Sequence, residues 1–101
     1  MARIKIATLT DLSEETMTKV EVEGKTLVVG MVDGKPYAME GQCSHMGHDL
    51  SKGTKKGSVV RCSMHGAEFD IRTGEVLRHS QAKKLRTYPV TVEGGQVFVE
   101  L

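Results

Sequence analysis

Short turn sequences recur along this chain about every 8 to 12 residues, a spacing typical of all-β proteins. Asp33-Gly34 is a hairpin turn sequence because both residue types tolerate a positive φ, and Arg72-Thr73-Gly74 and Glu93-Gly94-Gly95 mark further tight turns. Asp11–Met17 is expected to form one helical turn. The segments between turns are short and rich in β-branched or alternating residues, which predicts the following strands: Ala2–Ala7, Thr16–Val22, Lys25–Val32, Tyr37–Met39, Ser58–Cys62, Ala67–Ile71, Glu75–Leu77, Thr87–Val92 and Gln96–Leu101. The predicted fold is an antiparallel all-β sandwich or barrel.

The length and charge of the chain exclude several classes of protein. The chain has 101 residues, which suits a single domain spanning residues 1–101 with a modest core. Its formal net charge of +1 provides no overall field that favours nucleic acid or an anionic membrane. No apolar run approaches the length of a membrane span, and Met1–Lys5 does not open a signal peptide. We therefore expect a cytoplasmic protein that binds neither nucleic acid nor a membrane.

Both cysteines lie in or next to stretches that interrupt the β pattern, Gly41–Gly57 and Ser63–Gly66. In a reducing compartment such thiols are more often metal ligands or catalytic groups than partners in a disulfide. The first stretch contains Cys43-Ser44-His45 and the second follows directly from Cys62, giving Cys62-Ser63-Met64-His65. Thiolate and imidazole ligands together suit an iron–sulfur cluster, zinc or copper, and do not suit calcium or magnesium.

The arrangement of these four residues distinguishes the possible metals. A zinc finger usually pairs Cys with Cys on one turn and His with His on a helix, whereas each loop here mixes the two types. In a Rieske centre two His replace two Cys on one of the two irons, and a loop that contains one Cys and one His can reach both irons. The four residues account for both cysteines and for half of the histidines.

The sequence resembles the Rieske-type ferredoxins of bacterial ring-hydroxylating dioxygenases. The resemblance rests on Cys43–Gly47, on Cys62–Asp70, on Thr73-Gly74-Glu75-Val76 and on Tyr88-Pro89-Val90, and it extends from about Thr26 to Leu101. It implies a Rieske-like antiparallel β sandwich with a small cluster-binding subdomain built from two loops. It also implies a soluble one-electron carrier that is not itself an enzyme and has no catalytic residues.

By this resemblance, one [2Fe–2S] cluster per chain is expected to be held by four residues. Cys43 and Cys62 would bind the inner iron, and His45 and His65 would bind the outer iron near the surface. The expected partners are a flavin-dependent reductase and a terminal oxygenase or other oxidoreductase, and the chain is expected to be a monomer. High-potential Rieske proteins place hydroxyl groups where this chain has Ala67 and Phe69, so its reduction potential is expected to be low.

Two other classes of protein remain possible at this stage. One is a Rieske-fold subunit of a larger oxidoreductase such as nitrite reductase, and the other is a zinc-stabilised interaction module. High-potential relatives have a second pair of cysteines, which form a disulfide, where this chain has His48 and Met64. We therefore expect no disulfide between the two ligand loops. The stretch His79–Ala82 lacks the proline that covers the cluster in many relatives.

A basic run accompanies the two loops. Lys52, Lys55, Lys56 and Arg61 follow one another without an acidic residue between Gly53 and Arg61. Such runs are usually solvated surface. The sharper hypothesis is that this run forms a docking face for an acidic partner.

Overall fold

The computed structural model describes residues 3–42, 49–63, 66–78 and 83–101. Within these residues it contains three antiparallel sheets and two short 3-10 turns, and no helix there is long and apolar enough to cross a membrane. The strands are β1 (Arg3–Thr8), β2 (Thr18–Val22), β3 (Lys25–Val32), β4 (Lys35–Glu40), β5 (Thr54–Lys56), β6 (Val59–Arg61), β7 (Glu68–Asp70), β8 (Val76–Arg78), β9 (Thr87–Tyr88), β10 (Val90–Glu93) and β11 (Gln96–Glu100). The predicted all-β fold is therefore confirmed.

The strands are arranged so that the middle of the chain forms a sheet of its own. One sheet has the order β1-β11-β10, and a second has the order β2-β3-β4-β9. The third sheet, β5-β6-β7-β8, is made entirely from residues that lie between β4 and β9 in the chain. We call residues 41–86, which contain this third sheet, the cluster lobe.

The hairpin turns form where the sequence predicts them. Asp33 and Gly34 have φ values of 52° and 80°, and Glu23 and Gly24 have values of 51° and 76°. Each pair connects two strands by a loop of two residues, since Val32 pairs with Lys35 and Val22 pairs with Lys25. Turns with two positive φ values match the right-handed twist of the strands that they join.

The prediction of a helical turn at Asp11–Met17 is wrong. A 3-10 turn lies earlier, at Leu9–Asp11, and the chain from Leu12 to β2 is irregular. The carboxylate of Glu14 instead accepts hydrogen bonds from the backbone N–H groups of Asp33, at 3.0 Å, and Gly34, at 2.7 Å. These contacts with the β3–β4 turn hold the segment without helical hydrogen bonds.

Two predicted strand boundaries also differ from the structure. The predicted strand Thr87–Val92 is divided at Pro89 into β9 and β10, because proline has no N–H group to donate to a sheet. β9 pairs with β4, whereas β10 pairs with β11, so the chain changes sheets at this residue. The three-residue strand β5 lies inside Gly41–Gly57, which was predicted to lack strands.

Two buried apolar clusters lie on opposite sides of β3. Leu27 and Val29 belong to a cluster with Val99, and Val28 belongs to a larger cluster that includes residues of the cluster lobe. Alternate residues of one strand therefore pack into two different clusters. Burial on both faces explains why β3 is a continuous apolar run and does not alternate with polar residues.

Candidate metal centre

The second ligand loop, residues 63–66, begins directly after Cys62, the residue that follows β6. Cys62 is only 1% exposed, and it packs in the larger apolar cluster with Ala67 and Phe69. Its backbone N–H donates a hydrogen bond of 2.8 Å to the carbonyl of Ala67, which closes the loop at its base. Gly66 has a φ of 67°, a conformation that most other residues adopt only with strain. The structure therefore places Cys62 in a buried position within the apolar cluster.

The first ligand loop, residues 43–48, is also closed at its base. Gln42 and Asp49, the residues on either side of it, form an isolated antiparallel bridge. The N–H of Leu50 donates a hydrogen bond of 2.7 Å to the carbonyl of Gly41. Leu50 is fully buried in the same apolar cluster as Cys62, so both loop bases are anchored in one part of the core.

Asp49 adds an electrostatic anchor to the first loop. Its carboxylate accepts hydrogen bonds from the Ser51 hydroxyl at 2.6 Å and from the Ser51 N–H at 3.0 Å, and it pairs with Lys19 at 3.0 Å. The Ser51 hydroxyl is the main reason that the pKa of Asp49 falls to about 2, and Lys19 contributes as well. This ion pair connects the loop to β2.

The bases of the two loops lie side by side. A Cβ atom on Gly53 would lie 1.9 Å from the carbonyl oxygen of Arg61 and 3.2 Å from the N of Ser63, so only glycine allows this approach. A cleft of about 270 Å³ lies between residues 52–54 and the base of the second loop, and its lining includes Lys52, Gly53, Arg61, Cys62, Ser63 and Gly66. The fold therefore brings segments that flank the two predicted ligand loops close together.

Of the four predicted ligands, Cys62 is the one within the described part of the chain. Cys43, His45 and His65 lie outside the described residues, as does the stretch His79–Ala82. Within residues 3–42, 49–63, 66–78 and 83–101, no group of three or more His, Cys, Asp and Glu residues could hold a metal ion. The four ligands stay a prediction, and the described residues around Cys62 fit a cluster: Cys62 is buried on an apolar floor, and hydrogen bonds join the residues that flank each loop.

Comparison with known families decides what kind of centre this is. The sequence model of the Rieske [2Fe–2S] domain matches residues 2–89. This chain belongs to the Rieske [2Fe–2S] domain family. The resemblance noted from the sequence is therefore confirmed, as is the expectation of a [2Fe–2S] cluster.

Rieske relatives with curated names and solved structures agree with this assignment. The ferredoxin component of the naphthalene 1,2-dioxygenase system of Pseudomonas putida is 34% identical over 98 residues, covering 97% of this chain and 94% of the relative. A ferredoxin of Sphingomonas yanoikuyae B1 superposes with a TM-score of 0.93 at 28% identity and covers 99% of each chain. The ferredoxin in a complex of reduced oxygenase and oxidized ferredoxin of carbazole 1,9a-dioxygenase has a TM-score of 0.90 at 32% identity, covering 96% and 91%.

These relatives are named as ferredoxins or ferredoxin components, which are electron carriers and not enzymes. The predicted role of this Rieske protein in electron transfer is therefore confirmed.

The prediction of an exposed basic run is wrong for Lys55, which is only 8% exposed. Its Nζ donates hydrogen bonds of 2.6 Å to the carbonyls of Glu14 and Met31, and burial lowers its pKa. Gly30 makes room for the side chain, since a Cβ there would lie 2.8 Å from Lys55 Cε. The clue in the sequence was a glycine, Gly30, inside the apolar run of β3.

Proposed function

We propose that this chain is a low-potential ferredoxin that carries one electron at a time from a reductase to the terminal oxygenase of an aromatic-ring-hydroxylating system. The names of the relatives support this assignment, because one is a component of a naphthalene dioxygenase and another forms a complex with its oxygenase. The aromatic substrate is determined by the oxygenase and is not specified by residues of this chain. We further propose that residues 1–101 form one domain and act as a monomer in the cytoplasm.

We also propose that Cys43 and Cys62 bind the inner iron and that His45 and His65 bind the outer iron. The observation that carries this proposal is the buried thiol of Cys62 at the junction of two closed loops. A bound [2Fe–2S] cluster accepts and releases a single electron. A buried thiolate suits the inner iron, because the apolar cluster around Cys62 keeps water away from it.

Ala67 and Phe69 bear on the reduction potential. Both side chains are fully buried in the apolar cluster that contains Cys62, and neither has a hydroxyl group. Hydrogen bonds to cluster and ligand sulfurs stabilise the electron-rich reduced state, so their absence favours a low potential. We therefore place the potential toward the lower end of the Rieske range of about −150 to +300 mV.

The direct test of the ligand set is anaerobic purification with analysis of iron and acid-labile sulfide. We expect two irons and two sulfides per chain, and a Rieske-type electron paramagnetic resonance spectrum after reduction with dithionite. Cys62→Ser should lose the cluster, because it removes an inner-iron ligand. Ser63→Ala, a change at the exposed neighbouring residue, is the control and should keep the full iron and sulfide content. A Cys62→Ser protein with full iron and sulfide would refute the ligand assignment.

The role as a carrier is tested by reconstitution with the reductase and oxygenase encoded nearest to this chain in its genome. Product should form only when all three proteins are present. If the oxygenase turned over equally well without this chain, the proposed function would be wrong.

A further inference from the structure

Charge is distributed unevenly between the cluster lobe and the remainder of the chain. Residues 41–86 contain nine Lys and Arg residues and four Asp and Glu residues. Residues 1–40 and 87–101 contain five Lys and Arg residues and nine Asp and Glu residues. The formal net charge of +1 therefore conceals a positive lobe and a negative remainder.

Two of the positive side chains lie at the entrance to the candidate metal centre. Lys52 and Arg61 line the cleft that also contains Cys62. The guanidinium group of Arg61 lies over Gly66, where a Cβ would be 3.0 Å from Nη2. Gly66 directly follows His65, so this positive charge lies next to the second ligand loop.

One acid of the lobe, Glu68, lies opposite Arg61 in the register of β6 and β7, but no ion pair engages these positive charges among the described residues. Lys52, Lys56 and Arg61 are exposed, and none forms an ion pair within the described part of the chain. Two of the four acids in the lobe, Asp49 and Asp70, are each paired with another cation. The positive field at the cleft is therefore available to a partner.

We propose that Lys52, Lys56 and Arg61 form a docking surface for an acidic face of the protein that exchanges electrons with this chain. The proposal rests on the function proposed above, because it requires a cluster beneath this surface. At physiological ionic strength the Debye length is about 8 Å, whereas the molecule measures 40 × 26 × 19 Å. A partner at the cleft therefore responds to the charges around it more than to the net charge of the whole chain.

An acidic redox protein fits this surface better than a polyanion does. The cluster lobe contains a four-stranded sheet, and two of its cations, Lys52 and Arg61, line the cleft beside Cys62. Nucleic-acid binding usually requires many phosphate contacts along a basic stripe. Complementary charge mainly accelerates and orients encounters between proteins, which is what a carrier with rapid turnover needs.

The test uses the reduced holoprotein and two inorganic oxidants of opposite charge, hexacyanoferrate(III) and hexaammineruthenium(III). Each oxidant accepts one electron, and the reduced cluster loses the same electron. Stopped-flow spectroscopy gives second-order rate constants as ionic strength rises from ~10 to ~150 mM, which shortens the Debye length from about 30 to about 8 Å. We expect the rate constant for the anion to fall about tenfold and that for the cation to rise.

Charge-reversal variants locate the effect. Lys52→Glu combined with Arg61→Glu should invert the salt dependence for both oxidants. Lys5→Glu combined with Lys35→Glu is the matched control: it changes the net charge equally, at exposed positions outside the cluster lobe, and it should behave as the wild type. Lys52→Gln combined with Arg61→Gln should weaken the salt dependence of both rate constants. This milder variant replaces the charge-reversal variant in the test if the latter does not fold.

The possible outcomes separate this proposal from the proposed function. A wild-type protein without a cluster would refute the proposed function and this proposal together. Intact cluster spectra in every variant, with rate constants that do not respond to Lys52 and Arg61, would refute the docking surface alone. Competition by poly-L-glutamate that the charge-reversal variant abolishes would support an acidic protein partner. Tighter binding of duplex DNA or phosphatidylserine vesicles than of poly-L-glutamate at physiological salt would overturn it.

Discussion

Asp49 shows how a single side chain can anchor the chain beside a loop that is predicted to carry metal ligands. It lies immediately after the first ligand loop, where its carboxylate caps the short 3-10 turn Leu50–Lys52 through the N–H of Ser51. Its hydrogen bonds with Ser51 and its ion pair with Lys19 favour the charged form, so the pKa falls to about 2. A carboxylate with a lowered pKa stabilises the folded state above its unfolded pKa and loses this effect as pH falls through the folded value.

We expect Asp49→Asn to lower the free energy of unfolding by about 1–2 kcal/mol at neutral pH, because it weakens the cap and removes the ion pair. The difference from wild type should be constant down to about pH 4 and should shrink as the pH approaches 2. Urea titrations at a series of pH values measure this. Glu21→Gln, which removes the other, exposed carboxylate near Lys19, should have little effect. A difference that grew on acidification would contradict the assignment.

The four ligands are the clearest prediction that the sequence makes about the site, and they stay a prediction. Cys62 and Cys43 are each followed by a histidine two or three positions later, and few folds produce that pattern twice. By contrast, the importance of Gly53 could not be predicted, since it depends on the approach of Arg61 from another strand. A residue type that is required by a tertiary contact cannot be predicted from the local sequence pattern.

At the scale of elements, hairpins with glycine turns were predicted well because their signals are local. The Asp33-Gly34 turn and the strands on either side follow directly from the φ preferences of these residues. Strand β5 could not be predicted, because Thr54–Lys56 contains no apolar residue and its buried position belongs to a lysine. The sheet change at Pro89 required knowledge of which strands lie beside β9 and β10.

Lys55 connects three elements, and its removal should be costly. Lys55→Met keeps the apolar stem but leaves the carbonyls of Glu14 and Met31 without this donor. We expect a loss of about 1–3 kcal/mol in the free energy of unfolding. Lys56→Met, at the exposed neighbouring position, is the matched control and should change stability by less than about 0.5 kcal/mol. Equal stabilities of the two variants in urea titrations would show that the buried ammonium group contributes nothing.

At the scale of the whole molecule, the cluster is expected to contribute to the stability of the fold. It joins two loops in a chain of 101 residues whose core is modest, and metal binding adds to folding free energy. Removal of the cluster should lower the melting temperature and accelerate amide exchange at Leu50 and Cys62, whose N–H groups close the loop bases. Val97 and Val99, in the distant sheet, provide internal controls that should stay protected. Equal exchange at the loop bases with and without the cluster would contradict this expectation.

The separation of charge is a whole-molecule property that composition conceals. A net charge of +1 provides no overall field that favours nucleic acid or an anionic membrane, yet the cluster lobe and the remaining residues have net charges of opposite sign. The sequence contained this information in full. The separation of charge can be recognised only from the fold, because the fold shows that residues 41–86 contain a sheet of their own.

The position of β3 between two apolar clusters has a consequence for inheritance. Val28, Val32 and Met39 supply part of the floor beneath the cluster lobe, although they belong to the sheet outside it. A gene fragment that encoded only residues 41–86 would lose this floor, and Leu50, Val60 and Phe69 would face water. Recombination can therefore pass on the electron-carrying module only together with the β-sheet on which it rests, so the lobe evolves as part of a larger heritable unit.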